Sequence, residues 1–574
     1  MTLAPAIARL SFTASNGSRC GGERGVDVAR WYAQAPANRN MGECAVAGDI
    51  DLQTERPARA TGSPVVETAS GRVMGVTSDG VHVFKGIPYG AATAGADRFM
   101  PPRKPEPWTG VREAIVYAGR SPQAAAGAQR PELATVWGPV DTLPVGEDCL
   151  TLHVWTPALD SAKRPVMVWL HGGAFSYGSA NSPRYDSTNL ARRSDVVVIA
   201  VNHRLNVFGH LDLSQVGGER FAQSGNVGLL DLVLALEWVR EHAQRFGGDP
   251  GNVTIFGQSG GGGKVSALLA MPGAKGLFHK AIIQSGASVR FAERERTTRL
   301  ADAVLKHFGL GPHQLDALQA LPLARLQEAV APAQATLPRP RYPLLDRYNF
   351  GPVIDGSLLP NQPFDPVAPS VSADVPILIG GTKDESAIFL APDDAVWNRT
   401  VTEDDLRKRI AAVAGDATDA LLTYYKRRDP VASPSDRLIT ALTASNFGVR
   451  SVLLAERKAT VGKAPVWMYS FDWETPAFGG RLKAPHSVDV PFIFDTLQMI
   501  GEAHRTPRAQ ALADRASKTW ATFARNGDPA NDAIPAWPAY AAGRRATMLL
   551  DDACKVVDDP DGAVRPLWSK VATA

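Results

Sequence analysis

Residues 252–273 read NVTIFGQSGGGGKVSALLAMPG: an apolar run, a serine, four consecutive glycines, and a stretch with helical spacing. Asn252–Gly257 is β-branched and aromatic, the composition of a buried strand. Lys264–Gly273 has the spacing of a helix and closes on Pro272 and Gly273, a normal stop signal. Ser259 is therefore expected on a strand-to-helix turn. Each glycine inside a helix costs about 1 kcal/mol relative to alanine, so four together serve something other than helix stability. Gly257-Gln258-Ser259-Gly260-Gly261 fits the GxSxG nucleophile elbow, where the serine backbone is strained and neighbouring Cβ atoms would crowd it. Glycine removes that crowding and leaves the first helical N–H groups bare, as donors to an anion.

Outward from this turn, "VMVWLHGG" (166–173) and "DVVVIAVNHR" (195–204) are continuous apolar strands, and "LLDLVLALEWVREHAQRF" (229–246) is expected to be an amphipathic helix. Buried strands alternating with helices indicate an α/β fold with a mostly parallel sheet. Ser63–Gly90 shows short strands separated by glycine turns, an antiparallel entry to that sheet. Residues 1–62 have no sustained period and read as a poorly ordered extension, leaving 63–571 as the folded domain. From Ala287 to Val375 helix formers and prolines dominate, an excursion expected to build pocket walls. Sheet-like runs return at "VPILIGGTKDE" (375–385) and "APVWMYSFDW" (464–473), and "ADRASKTWATFARNG" (513–527) is expected as the final helix before a Pro- and Trp-rich tail.

The chain has 574 residues, 44% hydrophobic and 21% charged, the balance of a globular protein with a large core. A net charge of +3 with no Lys/Arg-rich run lacks the electrostatic footprint of a nucleic-acid binder. The longest apolar runs are far shorter than a membrane span. Cys20, Cys44, Cys149 and Cys554 are scattered, with neither CxxC pairs nor zinc-like spacing. The opening "MTLAPAIARLSF" lacks a basic n-region and is interrupted by Arg9, so a cytoplasmic product is expected.

A serine hydroxyl is a weak nucleophile, so a base must take its proton and donors must hold the oxyanion that follows. "WLHGGAFSYGS" (169–179) follows a strand end and matches the HGG(G/A) donor loop. Its expected donors are the N–H groups of Gly173 and Ala174, joined by that of Gly260. Asp384 and Glu385 follow a strand, where either carboxylate is placed to orient a base. His486, in "APHSVDVPFIF" (484–494), is a candidate base, with His504 as an alternative. The order serine, acid, histidine is that of α/β-hydrolases.

"EDCLTLHVWTP", "WLHGGAFSYGS", "NHRLNVFGHLDL", "GNVGLLD", "FGGDPGNVTIFGQSGGG", "AIIQSG", "GTKDES" and "HSVDVPFIF", in this order, resemble the type-B carboxylesterase/lipase family, which includes bacterial para-nitrobenzyl esterases and animal cholinesterases. The resemblance runs from about Ser63 to Trp568. It implies an α/β-hydrolase fold, a triad of Ser259, Glu385 and His486, and a small-molecule ester as substrate, with no cofactor and no metal. It favours Glu385 over Asp384, because the family's acid is the glutamate of its DE pair. It implies that Ser285 supports that acid. It also implies that Arg98 pairs with Glu147 and Arg204 with Asp231 as scaffold.

The chain departs from the family at three places. Where the family often has GESAGG, Gln258 and Gly260 flank the serine, so the extra negative charge beside the nucleophile is absent. No cysteine lies between Cys44 and Cys149 to staple the EDCL loop, as many secreted relatives do. The cation site of cholinesterases has no counterpart beyond a nearby Trp137. A rival of another class is a binding protein on the same fold, since adhesion members of the family have lost a triad position. An amidase, a thioesterase or a lipase would use the same triad, and the motifs leave oligomeric state open.

Overall fold

Apolar runs bounded by glycine and proline become the strands of a broad twisted sheet. In the computed structural model these are β1 (Val65–Thr68), β2 (Gly71–Met74), β3 (Val76–Ser78), β4 (Val81–Pro88), β5 (Val111–Glu113), β6 (Thr151–Thr156), β7 (Arg164–Leu170), β8 (Val197–Val201), β9 (Gly248–Gln258), β10 (Lys280–Gln284), β11 (Ile377–Thr382), β12 (Val466–Phe471), β13 (Ala546–Leu550) and β14 (Lys555–Asp558). β1, β2 and β5 form a three-stranded sheet, and the other eleven strands follow the order β14-β13-β12-β11-β10-β9-β7-β8-β6-β4-β3. From β8 through β7 and β9 to β13 all neighbours are parallel. The edges at β3–β4–β6 and at β14 are antiparallel. This is the α/β-hydrolase fold. The structure describes residues 62–124, 141–337 and 350–573, with Leu133, Val136 and Gly138. Apart from Gly62, the expected extension lies outside them.

The alternation of side chains along each strand splits the core in two. Val166, Val168, Leu170, Val197, Ile199 and Val201 face one layer of helices, while Met167, Trp169, Val198, Ala200 and Phe256 pack with Phe494 and Trp520 on the other. The helix Val227–His242 differs from its expected amphipathic character. It is buried around most of its circumference, including Leu232, Leu236 and Val239, because it lies between β9 and the short helix Asn206–His210. The helix Pro507–Asn526 starts on a Thr506 side-chain cap and stops at Gly527. It is not the final one: Arg565–Thr573 follows, tied down by the Trp568 indole donating to the Tyr425 hydroxyl at 2.9 Å.

Two helical insertions rise from the sheet. One carries Arg294–His307 and three shorter helices to Ala335, within the expected excursion. The other, between β11 and β12, was not anticipated from the sequence. It includes Pro434–Thr443 and Val449–Val461, joined by a π-helical turn at Ala444–Gly448. The joined stretch Pro434–Val461 is long and apolar enough to cross a membrane by composition, but 67% of its most apolar window is buried inside the protein.

Register decides where the chemistry sits. Leu170, Gly257, Ile283, Ile379 and Met468 stand in one row across five parallel strands. The residues just past that row, from His171, Ser259, Ser285 and Lys383 onward, all emerge at the carboxyl edge of the sheet, where α/β folds bind ligands.

Candidate active site

Ser259 bridges β9 and the helix Gly260–Leu268 with φ 58° and ψ −125°, a conformation that serine adopts only under constraint. Its N–H donates to the Gln284 carbonyl (2.8 Å), and its carbonyl accepts from Gly263 N–H (3.1 Å), which locks the turn. The four glycines behind it are not equivalent. A Cβ on Gly260 would lie 2.1 Å from the Ala174 carbonyl oxygen, and one on Gly261 would lie 1.9 Å from that of Leu170. A Cβ on Gly263 would meet nothing closer than Ser288 Oγ at 3.3 Å. The first two glycines thus let the helix start press directly against the end of β7 and the loop beyond it.

That loop is wound by its own backbone. Gly173 and Ala174 both take positive φ (89° and 53°), and the Gly173 carbonyl accepts from the N–H groups of Ser176 and Tyr177 at 3.1 Å each. His171 Nδ1, necessarily protonated against a carbonyl, donates to the Gly172 oxygen at 2.8 Å. The N–H groups of Gly173, Ala174 and Gly260 accept no role in the hydrogen bonding of the described residues. Gly260 packs on the Ala174 backbone itself, and a Cβ on Gly172 would lie 3.5 Å from that of Ser259, so the donor loop and the elbow meet at the serine.

Of the paired alternatives, Glu385 and His486 meet: Nδ1 lies 2.5 Å from Oε2, with both side chains buried. Glu385 Oε1 accepts the N–H of Thr382 at 2.8 Å. Ser285 has φ 52°, and both its hydroxyl and Oε1 of Glu385 flank Gly381. Among the described residues the hydroxyl has no hydrogen-bond partner, and the hydrogen bond that Glu385 Oε1 accepts comes from the Thr382 N–H. Asp384 turns the other way. It bonds through backbone and carboxylate to Ala484, and burial pushes its carboxyl up to about 6. His504 is also elsewhere, bonded to the Thr475 hydroxyl at 2.8 Å beside Trp473.

The imidazole of His486 packs against a stacked pair of rings, Phe389 and Phe447, with centroids 5.0 and 5.1 Å away and the two phenyl centroids 6.0 Å apart. Phe447 comes from the π-helical turn, a distortion that recurs at functional sites. On the elbow side, the Gln258 carboxamide nitrogen lies 3.2 Å from His486 Nε2. Asp489, three residues past His486, accepts from Gln284 Nε2 at 2.9 Å, and burial raises its carboxyl to about 6. Reasoning from sequence missed Phe389, Phe447, Asp489 and Lys264. Only Lys264 left a trace, a lone cation in an otherwise apolar helix.

The expected ion pairs form and fasten the scaffold. Arg98 chelates Glu147 (2.7 and 2.5 Å) and reaches the Gln319 and Leu321 carbonyls of the first insertion. Arg204 chelates Asp231 (2.9 and 2.6 Å) and donates to Met100. Cys149 and Cys554 are free. Cys20, Cys44 and Trp137 lie outside the described residues. Among the described residues, no cluster of three His, Cys, Asp or Glu side chains is arranged to hold a metal.

The chain matches the carboxylesterase family over residues 62–561. It is 37% identical over 511 residues to the para-nitrobenzyl esterase of Bacillus subtilis (strain 168), covering 87% of this chain and 97% of that protein. It is 34% identical to the phenmedipham hydrolase of Pseudarthrobacter oxydans, over 85% and 95% of the two chains. Among solved structures it resembles a carboxylesterase of Geobacillus stearothermophilus with a TM-score of 0.76 at 38% identity, covering 88% of this chain and 99% of the other.

Proposed function

This chain belongs to the carboxylesterase family and hydrolyses carboxylic esters, and from that premise we propose that Ser259, His486 and Glu385 carry out the reaction through an acyl-enzyme. His486 Nε2 takes the Ser259 hydroxyl proton as Oγ attacks the ester carbonyl. The carbonyl oxygen, now anionic, receives hydrogen bonds from the N–H groups of Gly173, Ala174 and Gly260. His486 then passes its proton to the departing alcohol, and Glu385 stays ionised to hold the imidazolium. Water repeats the two steps on the acyl-enzyme and releases the acid, regenerating Ser259. These steps use only groups of this chain, water and the ester.

The observation that carries this reading is the buried His486–Glu385 contact, formed where the elbow and the donor loop converge. Gln258 beside the imidazole is neutral, and the stacked rings of Phe389 and Phe447 pack against it, surroundings that suit an uncharged, apolar ester. The reading includes a cytoplasmic location, to which the free thiols of Cys149 and Cys554 are suited. Hydrolysis of p-nitrophenyl esters from acetate to palmitate tests it, with Ser259→Ala alongside. Activity should be lost in the variant by about a millionfold while the fold persists. An undiminished Ser259→Ala would overturn it.

A further inference from the structure

Lys264 is fully buried in the first turns of the elbow helix, and among the described residues no carboxylate pairs with it. A buried ammonium without a counter-ion is costly, and cores normally exclude it. Its Nζ donates instead to the carbonyl of His171 at 2.8 Å and stands 5.6 Å from the centre of the Phe175 ring. Both partners belong to the donor loop, one at each end of Gly172–Ala174. The remaining ionisable groups that face Lys264 are His171 at the end of β7, His203 after β8 and His210 in the helix Asn206–His210. Burial, reinforced by the Lys264 charge, pushes His171 and His203 well down and holds His210 at about 3, so all three stay neutral. The Arg204–Asp231 pair beyond them is self-neutralised.

From these contacts we infer that Lys264 is a positioning residue for the oxyanion donors, acting through His171. Its ammonium fixes the His171 carbonyl. Neutral His171 in turn donates Nδ1–H to the Gly172 carbonyl, and the nitrogen of that same peptide unit is the Gly173 N–H. The Lys264 bond polarises the 171–172 peptide, the Nδ1–H bond polarises the 172–173 peptide that carries the Gly173 N–H, and the field of the ammonium adds to both, which favours a developing negative charge at the donor loop. Burial lowers Lys264 to about 7, so the charge is present in mildly acidic solution and lost as pH rises past neutrality. For stability the sign is opposite. Below about 7 the folded chain carries a desolvated charge, a penalty relieved as pH climbs toward the ordinary lysine value of 10.5.

The inference rests on the triad reading above, and the two fail separately. Lys264→Met and Lys264→Gln would be assayed with p-nitrophenyl butyrate from pH 5.5 to 9, together with affinity for a trifluoromethyl ketone, whose adduct on Ser259 bears an oxyanion. For Lys264→Met, kcat should fall roughly tenfold or more with KM changed little, and ketone affinity should fall in step. The melting temperature below pH 7 should hold or rise. Wild-type kcat should decline above about pH 7, a limb absent from both variants. Lys264→Gln keeps an N–H donor and should retain more activity than Lys264→Met; it carries the test if the methionine variant does not fold. Variants with kcat within about twofold of wild type and an unchanged pH profile would overturn the inference. So would a lowered melting temperature with unchanged ketone affinity, the signature of a purely structural lysine. An active Ser259→Ala would instead remove the triad reading beneath it.

Discussion

The two halves of the candidate site are made of different material. The oxyanion half consists of peptide N–H groups on Gly173, Ala174 and Gly260, held where β7 and β9 end side by side. The relay half consists of two side chains, Glu385 and His486, carried on loops, with the imidazole packed against the stacked rings of Phe389 and Phe447. Backbone donors survive every substitution except proline and are otherwise only displaced by added bulk. Side chains can be replaced one functional group at a time. The contrast says which changes should be lethal through chemistry and which through geometry.

The largest effect is expected on the relay half. His486→Ala should lower kcat by about ten-thousandfold or more, and Glu385→Gln should approach it, because an amide no longer selects the Nδ1–H tautomer. Single-turnover acylation would show whether the loss lies in bond formation with Ser259. On the oxyanion half, Gly260→Ala should cost on the order of a hundredfold in kcat with little change in KM, since its Cβ would push the Ala174 peptide out of line. A full-rate Gly260→Ala would mean that the donor loop is less rigid than the packing implies.

Smaller effects sharpen the boundary between the halves. Gln258→Glu places a negative charge beside the His486 imidazole and should move the acidic limb of the kcat/KM profile to higher pH, with a rate change of only a few fold near neutrality. Asp384→Asn should change the rate least, within about threefold, because Asp384 turns away from the imidazole toward Ala484. Its raised carboxyl predicts a stability effect with a definite sign. Wild-type stability should fall as pH rises from the ordinary 3.8 to about 6, the window in which the folded chain holds a proton that the unfolded chain has released. The variant should show a shallower decline, with the share of Asp489 remaining, which thermal melts between pH 4 and 7 would read.

Much of the fold was legible in local pattern. Strand β9, the elbow helix and the mostly parallel character of the sheet follow from runs whose apolar spacing and glycine boundaries admit few alternatives. The helix Val227–His242 was legible as a helix but not in its burial, because a second covering layer comes from residues about twenty positions earlier. The insertion between β11 and β12 escaped notice, and with it Phe389 and Phe447. No local pattern says that an aromatic residue in a helical insertion stands against a histidine far along the chain.

The candidate site divides in the same way. Ser259, the donor loop and the DE pair announce themselves because strained turns demand glycine and strand ends demand particular successors. The choice between Asp384 and Glu385, or between His486 and His504, had no basis in spacing, since each member of a pair has the same chemistry and a similar neighbourhood. Geometry separates them: one member of each pair meets the other across 101 positions, while the rest bond locally. Sequence alone determined the elements, the elbow and the order of the chemical groups, because these depend on contacts within a few residues. Spacing left open which acid meets which histidine; the family resemblance favoured Glu385 and His486, and tertiary structure brings them together, shows what the glycines press against, and places beneath the donor loop a lysine that no carboxylate pairs among the described residues. Those are contacts between strand ends brought side by side by the register of the sheet.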